Sequence, residues 1–467
     1  MNLTRTKSVE QSIADTEESD HQLRKELGPL QLTVFGVGVV IGTGIFVLTG
    51  EAAGEKAGPA IAVSFVFAGI ACALAALCYA EFASTVPVAG SAYTFSYASL
   101  GELVAWIIGW DLILELGLGA STVAVGWSSY FADVMKGIGI TIPDFAYGDG
   151  HNLVAAAIVL ILTAVLCLGI KVSSQVNLVF VVIKVSIVLL VIVAGAFFIK
   201  TANYSPFIPP SGSPAAAGAE ATPSLLQDLG LAPGAFGISG IFASLGICTI
   251  LYVAVSLVVT GMVKYTDIKV DAPLAEAFRS VGHPGFANVI SVGALLGLTT
   301  VMMILMLGQS RVFFAMSRDR LLPATFAKVS PRFGTPVRTT LMTGIVVALI
   351  STFVPLTALA ELVNIGTLFA FVLVAIGVIV LRRTRPDLKR AFRCPGVPVV
   401  PVLAVLAAFY LMLNLPAATW IRFGVWMVLG FGVYFIHGRR NSRLATDPNY
   451  SREADAAAAG KRKSNVS

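Results

Sequence analysis

The chain alternates between long apolar segments and short polar connections. Eleven segments are each apolar over about 17 residues or more, which is long enough for a helix to cross the hydrocarbon core of a membrane. The two ends differ, because residues 1–28 and 440–467 are polar and charged and predict unstructured tails around a transmembrane domain at residues 29–439. The predicted spans are residues 31–50, 59–84, 102–132, 153–170, 175–199, 235–263, 285–316, 338–354, 358–381, 396–414 and 417–437.

Two of the connections are longer than the rest. Residues 200–233 are rich in Pro, Ser, Ala and Gly, a composition that predicts a solvated loop. Residues 264–284 carry Asp267, Glu276 and Arg279, and they predict a short amphipathic element between two spans.

Composition fixes the fold class as an all-α integral membrane protein. Hydrophobic residues make up 56% and charged residues 12% of the chain, and the mean hydropathy is +0.84. A soluble chain carries about 25% charged residues. The net charge of +6 does not predict a nucleic-acid partner, because the basic residues cluster in short loops between spans. The five Cys and four His have no metal-ligand spacing, so we expect no metal and no cofactor.

The basic loops predict the orientation of the chain. Clusters at residues 311–338, 382–393 and 439–443 are each separated by two spans, so they share one face, which should be cytoplasmic. The basic N-terminal tail predicts a cytoplasmic N-terminus as well, which requires an even number of spans. Because eleven are counted, the parity must break between Lys171 and Arg311, where the two consistent parts of the map meet.

Lys184 lies within the apolar run at about residues 176–199. Each end of that helix is roughly 16 Å away at 1.5 Å per residue, too far for an ammonium group to reach water along the helix. Such residues face a protein interior or a wet cavity and usually mark ion or substrate pathways. The alternative is a structural lysine whose hydrogen bonds are satisfied by backbone carbonyls.

Glycines cluster in the first span, within the sequence Gly-Val-Gly-Val-Val-Ile-Gly-Thr-Gly-Ile-Phe at residues 36–46. A dinucleotide-binding loop is excluded, because the glycine spacing and the strand–helix context are wrong. Gly38 and Gly42 have the spacing of a helix-packing face. Gly42 and Gly44 alternatively favour a break in the helix, whose exposed amides and carbonyls suit the two charges of an amino acid.

Seven motifs are spread along the spans and their connections. They are Ile-Gly-Thr-Gly-Ile-Phe at residues 41–46, Gly-Pro-Ala at 58–60, Tyr-Ala-Glu-Phe at 79–82, Pro-Val-Ala-Gly-Ser-Ala-Tyr at 87–93, Ile-Gly-Trp-Asp-Leu-Ile-Leu-Glu at 108–115, Gly-Gln-Ser-Arg-Val-Phe-Phe-Ala-Met-Ser-Arg-Asp at 308–319 and, more weakly, Pro-Val-Val-Pro at 398–401. These motifs resemble those of the amino acid–polyamine–organocation permeases, in particular the cationic amino acid transporter branch. The resemblance covers about residues 24–438.

The resemblance implies a transporter of twelve spans, ten of them in two inverted five-helix repeats, with broken first and sixth helices at the substrate site. It implies that substrate binds at the break, and that proton-driven members carry a lysine on the fifth span, the position of Lys184. A protonated lysine can hold the unwound segment through its carbonyls and release the proton where protons are scarce. The implied substrate-binding residues are Ile41, Gly42, Thr43, Gly44 and Ile45.

The chain departs from this family near Gly240. The sequence of the family's broken sixth helix is not found, and residues 241–252 already resemble its seventh span. About 30 residues, the length of one span with its connection, are absent there. The gap falls inside the interval in which the charge map loses parity, so we predict that the sixth span is missing.

Asp111 and Glu115 share one face of the third span, because they lie four residues apart. Glu115 is near the middle of the span, and we predict that it contacts the substrate; an ionised glutamate there would favour cationic amino acids. The alternative is a protonated glutamic acid bonded to a neighbouring helix. Asp111 is closer to the span end and is predicted to be structural.

The sequence therefore predicts a proton-coupled amino acid permease of the cell membrane, with a preference for cationic substrates. Its partners would be an amino acid, protons and the lipid bilayer. We do not expect an enzyme, because no nucleophile–base pair, metal cluster or phosphate loop is found. Two alternatives stay open: an exchanger of amino acids without proton flow, and a deletion variant that has lost transport.

Overall fold

The computed structural model describes the bundle between residues 36 and 447 with a few gaps, together with three residues of the N-terminal region. The described residues are 6–7, 11, 36–85, 91–148, 150–169, 174–209, 242–269, 271–330, 333–386, 388, 390 and 392–447.

The regular secondary structure of the described residues is helical apart from one short hairpin. Residues 36–57 form what we call the interrupted segment: a helix at 36–40, a bend, a π-helix at Gly44–Leu48, an α-helical turn at Thr49–Ala52 and a second π-helix at Ala53–Ala57. The α-helices of eight or more residues that follow are α1 (Ile61–Thr85), α2 (Ser91–Ser99), α3 (Glu102–Gly137), α4 (Leu153–Cys167), α5 (Ser174–Ala196), α6 (Phe242–Met262), α7 (Pro273–Ser280), α8 (Pro284–Arg318), α9 (Val337–Phe353), α10 (Leu356–Thr384), α11 (Val399–Leu413) and α12 (Ala417–Val433). The hairpin pairs β1 (Tyr147–Gly148) with β2 (His151–Asn152) in antiparallel register.

The all-α membrane fold that the sequence predicts is confirmed. Among the described residues, six helices are long and apolar enough to cross a membrane, and four shorter apolar helices accompany them. With the interrupted segment they correspond one to one to the eleven predicted spans. The six long helices are Gly58–Thr85, Glu102–Gly137, Leu178–Ala196, Pro284–Arg318, Leu356–Thr384 and Ala417–Asn441.

The bundle has two distinct faces. One, which we call the basic face, carries Lys7, Arg318 and Arg382, linked into the bundle by ion pairs. The other, the opposite face, carries the hairpin and α7, the amphipathic element that residues 264–284 predicted. One side of α7 is buried against the bundle, which is why a short helix with a mixed sequence folds there.

Helices α5 and α6 run in the same direction. Near the basic face, Val181 of α5 lies against Gly38, and Tyr252 of α6 donates a hydrogen bond to the carbonyl of Val40. At the opposite face, the amide of Lys200, just after α5, donates to the carbonyl of Gly261 at the end of α6 (2.9 Å). The described chain therefore stops at the opposite face at residue 209 and resumes toward the basic face at 242. The predicted gap near Gly240 lies outside the described residues.

The interrupted segment lies in the centre of the largest hydrophobic core. Ile41, Ile45 and Phe46 have no exposed surface, and they share that core with buried side chains of α3, α5, α6 and α8. Close packing of an apolar segment on every side leaves its backbone polar groups dependent on protein partners. The protein groups that bond this backbone therefore define the candidate site.

Parts of both predicted tails are ordered where the structure describes them. Lys7 is buried, with its ammonium group 2.9 Å from the carboxylate of Asp319. At the other end Arg443–Thr446 is helical, and the hydroxyl of Ser442 donates to Glu102 (2.7 Å). The prediction of unstructured tails therefore did not anticipate these contacts, because a charged residue far from the spans gives no local signal of a buried partner.

Candidate functional site

The first span is interrupted where its glycines predicted a break. Ile41 and Gly42 are bent out of helical geometry, and the chain returns as a π-helix at Gly44. The amides of Ile45 and Phe46 both donate to the carbonyl of Gly42 (3.2 Å each). The spacing of Gly38 and Gly42, which also suited a packing face, is used for close packing: a Cβ atom at Gly42 would lie 3.2 Å from Val301 of α8.

Two side chains hold the carbonyls on the inner side of the break. The ammonium group of Lys184 donates to the carbonyl of Gly38 (2.7 Å), and the hydroxyl of Tyr252 donates to that of Val40 (2.8 Å). Lys184 has only 1% of its surface exposed, so this bond replaces water around a cationic group. The two bonds satisfy carbonyls that an uninterrupted helix would pair within itself.

Two further hydroxyls hold carbonyls on the outer side of the break. Thr49 donates to Gly44 (2.9 Å), and Tyr130 of α3 donates to Phe46 (2.6 Å). A π-helix shifts backbone pairing by one residue, and such distortions are frequent at functional sites. Side chains from three different helices therefore hold the interrupted backbone in addition to its own hydrogen bonds.

Thr43 stands out among the predicted binding residues. Only 6% of the surface of Thr43 is exposed. Its buried hydroxyl nevertheless has no hydrogen-bond partner among the described residues. Around it lie apolar groups: Gly126 of α3 faces Thr43 and Val47, and Val301 faces Gly42. An unpaired buried hydroxyl costs about 1–3 kcal/mol, so a ligand that supplies the missing bond would be stabilised there.

Glu115 is not brought to the break. The interrupted segment crosses α3 at Gly126, roughly 16 Å along the helix from Glu115 at 1.5 Å per residue. Glu115 instead lies beside Gly366 of α10. The predicted contact between Glu115 and substrate therefore has no support from this geometry, whereas Lys184 does bond the first span, at Gly38.

The two half-helices of the break end in backbone groups of opposite partial charge. The outer half-helix starts at the break, and two amides of its first turn, those of Ile45 and Phe46, donate to the carbonyl of Gly42. The carbonyls of the inner half-helix suit an ammonium group, and Lys184 already holds one of them. Among the described residues, no group of three or more His, Cys, Asp or Glu side chains is placed to bind a metal ion.

Comparison with known proteins identifies the family. The family model described as "Amino acid permease" matches residues 27–240 and 238–434, two stretches that meet where the sequence departs from the resembling permeases. The chain belongs to the amino acid permease family.

Three relatives show how wide the family is. The chain is 47% identical to the branched-chain amino acid permease BcaP of Bacillus subtilis, over 94% of this chain and 98% of the relative. It is 45% identical to the methylthioribose transporter of the same bacterium, over 95% and 99% of the two chains. It is 30% identical to the vacuolar cationic amino acid transporter 4 of Arabidopsis thaliana, over 95% and 96%. The permease is therefore a transporter rather than an enzyme.

The structure adds site residues to this permease that sequence reasoning missed. Tyr252, Tyr130 and Thr49 bond the interrupted backbone, yet each lies in an apolar run without a distinctive motif. A single tyrosine or threonine in a membrane helix is a weak signal, because its hydroxyl can bond the preceding turn of its own helix. The only usable hint was the presence of a tyrosine hydroxyl in an apolar core, where it needs a partner.

Ion pairs join elements of the permease at both of its faces. On the opposite face, Arg279 of α7 pairs with Asp133 of α3, which also accepts from Ser291 of α8 (2.5 Å). The hydrogen bond to Asp133 outweighs burial and raises the pKa of Arg279, so this cation persists at any physiological pH. On the basic face, Asp319 accepts from Lys7 (2.9 Å) and Tyr93 (2.7 Å).

Proposed function

We propose that the permease carries amino acids across the cell membrane in symport with protons, with the substrate backbone bound at residues 41–45. The observation that supports this most directly is the bond from Lys184 to the carbonyl of Gly38, on the inner side of the break. A cationic group that holds one half of a broken helix can link its own proton to the shape of the site. The basic face is then cytoplasmic, with both termini on that side.

The coupling step can be stated in terms of the residues. With its proton, Lys184 is a charged donor to the carbonyl of Gly38, and charge-assisted hydrogen bonds are about twice as strong as neutral ones. Loss of the proton weakens the hold on the inner half of the interrupted segment. That half can then move relative to α5, which would open the break toward the side where the proton leaves.

The substrate side chain that fits these surroundings best is uncharged and aliphatic. Val47, Val301 and Gly126 surround Thr43 and Gly42, and Glu115 is distant from them. The relative of highest identity among the three above is named for branched-chain amino acids, whose side chains are aliphatic. Cationic amino acids, which the sequence favoured and which the Arabidopsis relative is named for, are the second candidate.

Uptake into proteoliposomes tests the proposal. We expect leucine to accumulate when the outside is acidic, arginine to compete weakly, and Lys184→Ala to abolish accumulation. Lys200→Ala is the matched control, because Lys200 lies exposed just beyond the same helix. Stronger competition by arginine than by leucine would assign the substrate to the cationic class instead.

The two rival functions give different results in the same vesicles. An exchanger would take up leucine only into vesicles preloaded with an amino acid, with or without a pH gradient. A transport-dead deletion variant would insert and fold but bind none of the substrates. The second result would implicate the predicted missing span near Gly240, because a broken sixth helix would normally complete the site.

A further inference from the structure

The chain beyond α12 stays packed on the basic face. A π-helix at Tyr434–Gly438 is followed by short helical turns at Arg439–Asn441 and Arg443–Thr446. We call residues 434–446 the C-terminal strap. Its sequence is polar after the π-helix, yet Ser442 has no exposed surface. Because buried polar groups are hydrogen-bonded, specific partners must hold this serine in place.

The C-terminal strap is fastened to the first residue of α3. Glu102 is buried, and its carboxylate accepts from the hydroxyls of Ser442 (2.7 Å) and Tyr434 (3.1 Å). A third hydroxyl, that of Tyr97 of α2, donates to the same carboxylate (3.1 Å). The hydroxyl oxygen of Ser442 also accepts from the amide of Ala445 (3.2 Å) and so caps the last helical turn. One serine therefore both shapes the strap and anchors it.

The C-terminal strap also bonds a strained turn at the end of α8. The amide of Arg443 donates to the carbonyl of Asp319 (3.1 Å), and the next residue, Arg320, has a φ of 60°. This left-handed conformation is disfavoured for a residue with a Cβ atom, so surrounding contacts must maintain it. Gly438 lies against the same turn, because a Cβ atom there would be 3.2 Å from the carbonyl oxygen of Leu321. The strap therefore contacts the backbone on both sides of Arg320.

The same turn anchors the N-terminal region. The carboxylate of Asp319 accepts from Lys7 (2.9 Å) and Tyr93 (2.7 Å), and the amide of Lys7 donates to the carbonyl of Tyr97 (3.2 Å). Lys7 precedes the interrupted segment in the chain. Asp319 thus joins both ends of the protein, since its carbonyl is bound by the strap and its carboxylate by Lys7. The position of that carboxylate depends on the turn that the strap holds.

We propose that the C-terminal strap is a conformational device that controls how firmly the N-terminal region is anchored on the basic face. With Ser442 bonded to Glu102, the strap maintains the turn at Arg320 and positions Asp319 for Lys7. When Ser442 leaves Glu102, the turn relaxes, Asp319 moves and Lys7 is released. The inner half of the interrupted segment then loses a tether to the basic face. The device is independent of the substrate and of proton coupling.

Hydrogen–deuterium exchange of the full-length protein in lipid nanodiscs, resolved to single amides, tests this device without a transport measurement. The amide of Arg443 reports on the strap and that of Lys7 on the N-terminal region. We expect Ser442→Ala to speed exchange at both about fivefold to tenfold, the effect of losing one hydrogen bond. The amide of Lys200, bonded on the opposite face, should not change. Ser280→Ala, which removes a serine hydroxyl from α7 on that face, is the matched control and should leave all three amides unchanged.

A glycine at position 320 tests whether the turn connects the two ends. Arg320 is exposed, and glycine adopts the left-handed conformation without strain, so Arg320→Gly should maintain the turn without help from the strap. In that background, Ser442→Ala should still speed exchange at Arg443. It should change exchange at Lys7 by less than about twofold, because Asp319 stays in position.

Three results would overturn the proposal. Ser442→Ala could speed exchange at Arg443 alone, which would make the strap a local anchor of the C-terminus. It could leave both amides protected, which would show that the bond to Glu102 does not hold the strap. Its effect on Lys7 could be equally large in the Arg320→Gly background, which would exclude the turn as the connection.

A second variant decides the matter if Ser442→Ala loosens the whole protein. Faster exchange at Lys200 would reveal such a general effect. Tyr434→Phe then replaces it, because this change removes the other strap hydroxyl at Glu102 and keeps the ring that packs against Trp106. Faster exchange at Lys7 with an unchanged Lys200 would support the proposal, and an unchanged Lys7 would overturn it.

Discussion

The ammonium group of Lys184 lies 2.7 Å from the carbonyl oxygen of Gly38 and donates a hydrogen bond to it. The two residues are 146 positions apart in the chain and belong to different membrane helices. Gly38 also allows this approach sterically, because a Cβ atom there would lie 2.5 Å from Val181, one turn before Lys184. The fifth predicted span is therefore packed on the inner half of the first by one bond and one close contact.

Removing the Lys184 side chain should separate binding from coupling. We expect Lys184→Ala to lose accumulation driven by a pH gradient, because the carbonyl of Gly38 loses a charged donor worth about 1.5–3 kcal/mol. That range is roughly a tenfold to hundredfold change in the equilibrium that the bond controls. Lys184→Gln keeps a donor without a titratable proton and should retain exchange between preloaded vesicles. Gradient-driven accumulation by either variant would contradict the coupling role.

A methyl group at Gly44 should disrupt the packing of the site. Its Cβ atom would overlap the hydroxyl of Tyr252, so we expect Gly44→Ala to lower thermal stability by about 1–3 kcal/mol and to reduce transport. Tyr252→Phe removes that hydroxyl and should partly rescue Gly44→Ala in the double variant. Gly432→Ala in α12 is the control, because its added methyl group would meet nothing within 4 Å. Additive losses in the double variant would show that the two residues do not clash.

The hydroxyl of Thr43 should serve the ligand rather than the fold. Thr43→Val keeps the shape and removes a hydroxyl without a partner in the described structure, so we expect unchanged or slightly higher stability. Amino acid affinity should fall about fivefold to tenfold, the loss of one hydrogen bond, and Thr43→Ser should restore it. Thr49→Val should do the reverse and lower stability, because it breaks the bond to Gly44. Binding can be followed by calorimetry in detergent.

The contact between Lys7 and Asp319 should depend on pH with a defined sign. Burial alone would raise the pKa of Asp319, but the charges of Lys7 and Arg318 and the bonds from Lys7 and Tyr93 outweigh it and lower that pKa. The folded protein thus resists protonation of Asp319 more than the unfolded chain does. Its stabilisation is complete above the unfolded pKa of about 4 and is lost as the pH falls through the lower folded pKa.

Asp319→Asn should therefore lower the stability of the protein most at neutral pH. We expect a loss of about 3–5 kcal/mol at pH values near 7, because one partner of a buried ion pair is removed. The difference from wild type should shrink as the pH approaches roughly 3. Thermal denaturation at several pH values measures this, and a double-variant cycle with Lys7→Met isolates the pair. A pH-independent difference would show that packing, not charge, carries the effect.

The sequence by itself determined the membrane class, the span positions and the break in the first span. These follow from local physics: apolar length fixes where a helix can cross a bilayer, and Gly42 and Gly44 lower the cost of unwinding it. Lys184 could be singled out for the same reason, since an ammonium group in an apolar helix must find partners inside the protein.

Only the tertiary structure decided which groups meet. It placed Tyr252 and Tyr130 on the carbonyls of the interrupted segment, and it put Glu115 beside α10 instead of the break. It also buried Lys7 against Asp319. These contacts join residues far apart in the chain, and a helix of any apolar sequence has several faces on which a polar group can lie. Which face turns toward which neighbour depends on the packing of the whole bundle, and that information is not contained in the pattern of any one span.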